Sequence, residues 1–320
     1  MHPAYSVIFF TTASGAGYGL WIWLGLRTLL DGLPDRAAPS VTALVLGGVL
    51  VTLGLLSSTF HLGHPERAWR AFSQWRSSWL SREGVAAVAT YLPAGALFLV
   101  FLLPGSLPGA GLFAALLVSG ALVTLWCTGM IYASLRTVPE WNHGLVPTIY
   151  IALAAATGAL LLATIDVAFG QRSEILLLVA AAALLAGALM KWTYWQRIDV
   201  APAPYTLEQA IGIPGASGIR PLDPPHTQPN FVMREMGYAV GRRHAGRLRR
   251  WTMALLFALP LVALVIAALV PVLSLIALPL ALLSAGAGVL VERWLFFAEA
   301  RHVSMLYYGA ALGGREAAAP

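Results

Sequence analysis

Two short stretches of this sequence hold the side chains best suited to chemistry. The first reads His61-Leu62-Gly63-His64-Pro65-Glu66-Arg67-Ala68-Trp69-Arg70, and the second Trp79-Leu80-Ser81-Arg82-Glu83. An imidazole titrates near neutrality and can both hold a hydrogen bond and pass a proton. A carboxylate close by can relay protons from water, and a guanidinium can stabilise developing negative charge. Such a set suits the two-electron, two-proton reduction of a quinone, whose two ring oxygens each need a hydrogen-bond donor that also delivers a proton. His61 and Glu83 are the candidate proton-transfer groups and Arg67 the candidate electrostatic one. A further polar stretch, Tyr132 to His143, offers Tyr132 and Trp141 as walls of the same pocket. None of this chemistry needs a metal.

The elements that position these groups must be membrane helices. Hydrophobic residues make up 58% of the 320 residues and charged residues 11%, with a mean hydropathy of +0.75. A soluble domain carries about 25% charged residues, so a soluble fold is excluded. A bilayer span needs about 20 mostly apolar residues. Eight runs qualify: Ser6–Leu30, Val41–Leu62, Val85–Leu103, Leu112–Tyr132, Leu145–Ala168, Ile175–Tyr194, Trp251–Val270 and Leu273–Phe296. The last two are one apolar run that Pro271 should break. Pro104, Gly105, Pro108 and Gly109 predict the turn between spans 3 and 4. The expected fold is an all-α bundle of eight transmembrane helices, one integral membrane domain over residues 1–320. Gly15, Gly17 and Gly19 in span 1, with Gly47 and Gly48 in span 2, predict close helix approach.

Charge sets the expected orientation. Seventeen of the twenty Lys and Arg residues fall on the side shared by both termini and the even-numbered loops. Only Arg27, Arg36 and Arg172 fall on the other. Basic flanks stay cytoplasmic, so a multi-pass protein of the cell inner membrane with both termini inside is expected. His61 and Glu83 then lie near the inner leaflet, at the ends of successive helices. The sequence pI near 9.8 points to membrane headgroups or an acidic partner rather than nucleic acid.

Other residues take simpler readings. Cys127, the only cysteine, is read as a small buried apolar residue. Lys191 is expected to snorkel to the cytoplasmic surface, and Asp166 to be solvated at the outer end of span 5. Glu292 and Arg293 read as a local charge pair. A transmembrane b-type haem needs two histidines inside spans. Only His61 approaches a span interior, so no haem is expected, and electrons must come from a redox centre on another subunit. The Pro-rich stretch 195–250 reads as an extended, non-helical cytoplasmic loop between helices 6 and 7, with Gly241–Arg250 as a basic lead into span 7.

The motif His61-Leu62-Gly63-x-Pro65-x-Arg67-Ala68, followed by Ser81-x-Glu83, resembles the membrane anchor subunit of dimethyl sulfoxide reductases (DmsC type). The opening Pro3-x-x-Ser6-Val7-Ile8-Phe9-Phe10-Thr11 and the eight-span pattern agree with it. The resemblance implies a molybdopterin catalytic subunit and a ferredoxin-like iron–sulfur subunit as partners, and exchange of electrons with ubiquinone or menaquinone. It implies His61, Arg67 and Glu83 as quinone-site residues, with Gly63 in the same loop. The long Pro-rich insertion is similar to that of the membrane subunit of cytoplasmic sulfite dehydrogenases (SoeC type). Sulfite oxidation feeding the quinone pool is therefore the expected role of the complex. Quinol oxidation for a dimethyl sulfoxide reductase is the alternative within the family. A small-solute or ion transporter is the alternative of another class, and it predicts charged or broken-helix residues at the bilayer midplane. An anchor without quinone chemistry is a third reading.

Overall fold

The structure is a computed structural model that describes residues 1–34, 36–60, 62–103, 108–213, 215, 219, 228 and 230–308. Eight helical stretches are long and apolar enough to cross a membrane. Six are single helices: α1 (Tyr5–Asp31), α2 (Ala37–Thr59), α3 (Trp79–Leu102), α4 (Ala110–Ala133), α5 (Leu145–Ala168) and α6 (Glu174–Val200). After the short helices α7 (Leu207–Ala210) and α8 (Phe231–Met236), the seventh span is built from α9 (Val240–Thr252), a π-helical segment Met253–Ala258, and α10 (Leu259–Leu269). The eighth is α11 (Ser274–Ala298). A helix bonds every backbone group within the segment, which is what an apolar solvent demands.

Pro271 opens a three-residue 3₁₀ turn between α10 and α11, at the break its ring predicts. Pro108 and Gly109 precede α4, with Gly109 left-handed at φ 94°; Pro104 and Gly105 lie outside the described residues. The Pro-rich stretch departs from the expectation of a wholly non-helical loop. α6 continues to Val200, and Gly241–Arg250 belongs to α9. Much of the Pro-rich middle, including Pro214, Pro221, Pro224, Pro225 and Pro229, lies outside the described residues.

Helices α1 and α5 form the centre. In each, 72% of the apolar stretch is buried by protein, against 28–39% in the other six spans. Their crossing depends on glycine. A Cβ on Gly19 would lie 1.8 Å from the Ala154 carbonyl oxygen, and one on Gly158 2.1 Å from the Gly19 carbonyl carbon. Gly17 makes a similar approach to the Gly47 carbonyl of α2, whereas Gly15 has open space around it. Small residues thus let backbones touch where no hydrophobic effect drives helices together. The indole N–H of Trp21 donates to the Leu44 carbonyl of α2, and that of Trp23 to the Ala155 carbonyl of α5.

Polar groups tie one end of the bundle together. Val303 N–H donates to the Thr137 carbonyl, His2 N–H to that of Glu235, and the Tyr307 hydroxyl to that of Ala210. Arg301 pairs with Glu140 at 2.6 Å. Both terminal segments and the connections after α4 and α6 therefore share one face, as an even number of spans requires.

Two charged residues are not where a residue-by-residue reading puts them. Lys191 does not snorkel: it is buried, and its Nζ lies 2.5 Å from Glu292 Oε1. Asp166 is not solvated: it is buried and takes two 2.9 Å hydrogen bonds from Arg27 Nη1, joining α5 to α1. Each partner is far away in sequence, so no local signal announces it.

Candidate functional site

The site begins with the connection after α2. Residues Pro65–Gln74 form a 3₁₀ helix that docks on the start of α3. The Ser81 hydroxyl donates to the Ala71 carbonyl, and Phe72 packs over Gly84. Ser78 caps α3 by accepting from Ser81 N–H. Arg82 is held by two carbonyls: Nε donates to Trp75 at 3.0 Å and Nη2 to Arg76 at 2.7 Å, while its guanidinium stacks over Trp79 at 4.3 Å.

These contacts shape a groove of about 650 Å³ between α3 and α4, walled by Trp75, Trp79, Arg82, Val85, Trp126 and Cys127. Its walls are mostly apolar and aromatic, and it opens toward the lipid side of the bundle, where Trp75 and Trp126 are exposed. Behind the wall sits Glu83. It is buried, and the Thr128 hydroxyl of α4 donates to its carboxylate. No salt bridge reaches Glu83 among the described residues. A carboxyl at membrane depth without a cation is expensive and marks a functional position. Thr124 and Thr128, one turn apart on an apolar helix, are the sequence signal for its partner.

The other expected residues are distributed as follows. His61 lies outside the described residues. Gly63 is exposed, with nothing within 4 Å of a Cβ built there. Arg67 is exposed on the 3₁₀ helix, 3.7 Å from Glu66, and does not line the groove. Tyr132 and Trp141 are buried in an aromatic cluster rather than on the groove wall. Tyr132 stacks on Tyr150 at 5.8 Å and meets Trp141 edge-on at 5.3 Å. The Trp141 indole N–H donates to the Phe296 carbonyl at 2.9 Å.

Behind that cluster the expected Glu292–Arg293 pair is present, joined by a third charge, Lys191, that the sequence reading missed. Glu292 is shared by Lys191 of α6, at 2.5 Å, and by its neighbour Arg293, at 2.6 Å, and all three are buried. Aromatic faces complete the cage: Arg293 lies 3.9 Å from the Tyr150 ring centre and Lys191 4.4 Å from that of Tyr194. Toward the aqueous end, Arg249 bridges Asp199 and Glu299. Beside it a smaller polar cavity is lined by Arg136, His143, Arg197 and Arg301. Burial first, and then the Arg197 charge, hold the His143 imidazole below its ordinary range.

Fold and site together define a multi-pass integral membrane protein of eight helices, carrying a lipid-open aromatic groove backed by a buried carboxyl. Comparison with known families makes this particular. The family model for the dimethyl sulfoxide reductase anchor subunit (DmsC) matches residues 1–309, and the chain belongs to that family. The sulfite dehydrogenase C-subunit of Allochromatium vinosum is 35% identical over 96% of this chain and 99% of its own length. Anaerobic dimethyl sulfoxide reductase chain YnfH of Escherichia coli K12 is 30% identical over a shorter stretch, 37% of this chain and 41% of its own.

Proposed function

We propose that this chain is the quinone-reactive anchor of a molybdopterin and iron–sulfur complex, passing electrons from cytoplasmic sulfite oxidation into the quinone pool. The observation that carries the reading is the buried Glu83 carboxyl, set behind a lipid-open groove between α3 and α4. A quinone tail reaches such a groove laterally from the bilayer, and its ring is met by aromatic faces and by the fixed guanidinium of Arg82. His61 hydrogen-bonds a ring oxygen and passes a proton, Glu83 relays the other, and Arg67, on the connecting 3₁₀ helix, adds positive charge to that face. Electrons arrive from a ferredoxin-like partner docked on the basic, cytoplasmic face, so this chain uses neither haem nor metal. The sulfite assignment draws on the relative of that name, matched along nearly its whole length. Quinol oxidation for a dimethyl sulfoxide reductase is the second reading, favoured by the shorter match to YnfH.

The test is Glu83→Gln, with His61→Ala beside it, in the assembled complex. Quinone-linked turnover should fall by about 10²–10⁴-fold, the usual contribution of a positioned proton-transfer group, while the partner subunits still co-purify. Unchanged turnover in both variants removes these residues from the mechanism. Sulfite and dimethyl sulfoxide, offered in turn to the same complex, separate the two readings.

A further inference from the structure

Helix α9 carries Arg242, Arg243, Arg247, Arg249 and Arg250 together with His244. Their surroundings divide them. Arg249 turns inward, to Asp199 and Glu299. Arg243, His244, Arg247 and Arg250 are exposed. Among the described residues none of these four side chains has a hydrogen bond, an ion pair or a ring contact. Below them runs a second groove, about 610 Å³ in volume, between α1, α9 and α11. Its floor is apolar, built by Ile8, Leu290 and Val291, and its rim carries His244 and Arg247. Trp294 stands at the same end, as interfacial aromatics do at headgroup depth.

We propose that this groove binds an anionic phospholipid. Its acyl chain lies along Ile8, Leu290 and Val291, and its phosphate is held by Arg247 with Arg243 and His244 alongside. Two walls of the groove are membrane-spanning helices, so acyl chains fill its apolar part and a water-soluble partner does not reach it. Among the described residues the exposed Arg243 and Arg247 meet no counter-charge, and anionic headgroups at the bilayer surface supply one. A simple topology signal needs the arginines but not the groove. The inference is independent of the quinone reading, because no residue of the α3–α4 groove takes part.

The experiment uses the assembled complex, equilibrated with mixed micelles of phosphatidylglycerol and phosphatidylcholine in equal amounts and examined by native mass spectrometry. The expected result is a retained phosphatidylglycerol adduct on this chain, resistant to excess sodium phosphate. Replacing both exposed arginines, Arg243→Gln with Arg247→Gln, should weaken retention roughly thirtyfold, the loss of two arginine contributions at a charged surface. Leu290→Trp, which fills the groove and leaves the charges, should expel the lipid as well. Displacement by sodium phosphate alone would reduce the site to a simple oxyanion site. Equal retention of both lipids, unaltered retention in the arginine variant, or release of the soluble subunits with lipid content unchanged would each overturn the proposal.

Discussion

Single residues carry unequal electrostatic burdens in this protein. Glu292 serves two cations in a buried site, so the consequences of changing it are asymmetric. Glu292→Leu leaves Lys191 and Arg293 facing each other without an anion, and breaking such a set costs about 3–5 kcal/mol. Lys191→Met leaves Glu292 paired with Arg293 and is the milder change. Thermal unfolding of the purified protein in detergent should therefore show the larger drop for Glu292→Leu; equal drops would mean that the three do not act as one set. His143 supplies a pH dependence. Its imidazole is held below the ordinary value of 6.5, so the unfolded chain binds the extra proton first as pH falls. Stability should decline on acidification from 6.5 down to the depressed folded value, and rise with pH across the same window. His143→Gln should flatten that part of the melting-temperature profile; an unchanged profile would assign the slope elsewhere. These charges also show where reading by residue stops. Lys191 near a span end looks like a snorkelling side chain, and Asp166 near another looks solvated. Only the fold brings Glu292 and Arg27 to them. Glu83 was legible because its sequence neighbours, Arg82 and the His61 loop, already crowd a span boundary with polar groups.

At the scale of the helices, apolar run length fixed the number of spans, and the proline at 271 fixed the last turn. Neither signal reports that the seventh span contains a π-helical stretch, because an apolar run reads alike in either helical winding. Nor does composition reveal which helices are central, since α1 is the least apolar of the eight and yet among the most buried. The glycines carry that information. Where α1 crosses α5, a methyl group has nowhere to go, so Gly19→Ala and Gly158→Ala should each cost about 1–3 kcal/mol of stability through overpacking. Gly15→Ala, in open space on the same helix, is the control and should be near neutral. Detergent melting curves that fail to separate the three would show that the α1–α5 contact is loosely packed.

The whole molecule is polarised: among the described residues most of the basic ones lie at one end, and both terminal segments are bound there. That polarity predicts sidedness. Ser73→Cys, on the exposed 3₁₀ helix, should resist a membrane-impermeant maleimide in spheroplasts and react after permeabilisation. Gln171→Cys, between α5 and α6, should react at once. The reverse pattern would invert the protein and move the α3–α4 groove to the outer leaflet. The even count of spans and the shared face of the termini were legible from hydropathy and charge alone. The 195–250 segment was legible as distinctive, but its helical ends were not, because prolines and glycines between them dominate the local pattern.

The ion set around Glu292 also bears on how the protein is made. Helix α6 carries Lys191 out of the ribosome about a hundred residues ahead of its counter-charge on α11. At ordinary elongation rates that interval lasts roughly 5–20 s. For those seconds the nascent sixth helix must keep an ammonium at the bilayer edge, or the insertion machinery must shelter it. The counter-charge arrives only with α11, so a chain truncated before residue 292 should leave Lys191 without it and melt in detergent well below the full chain.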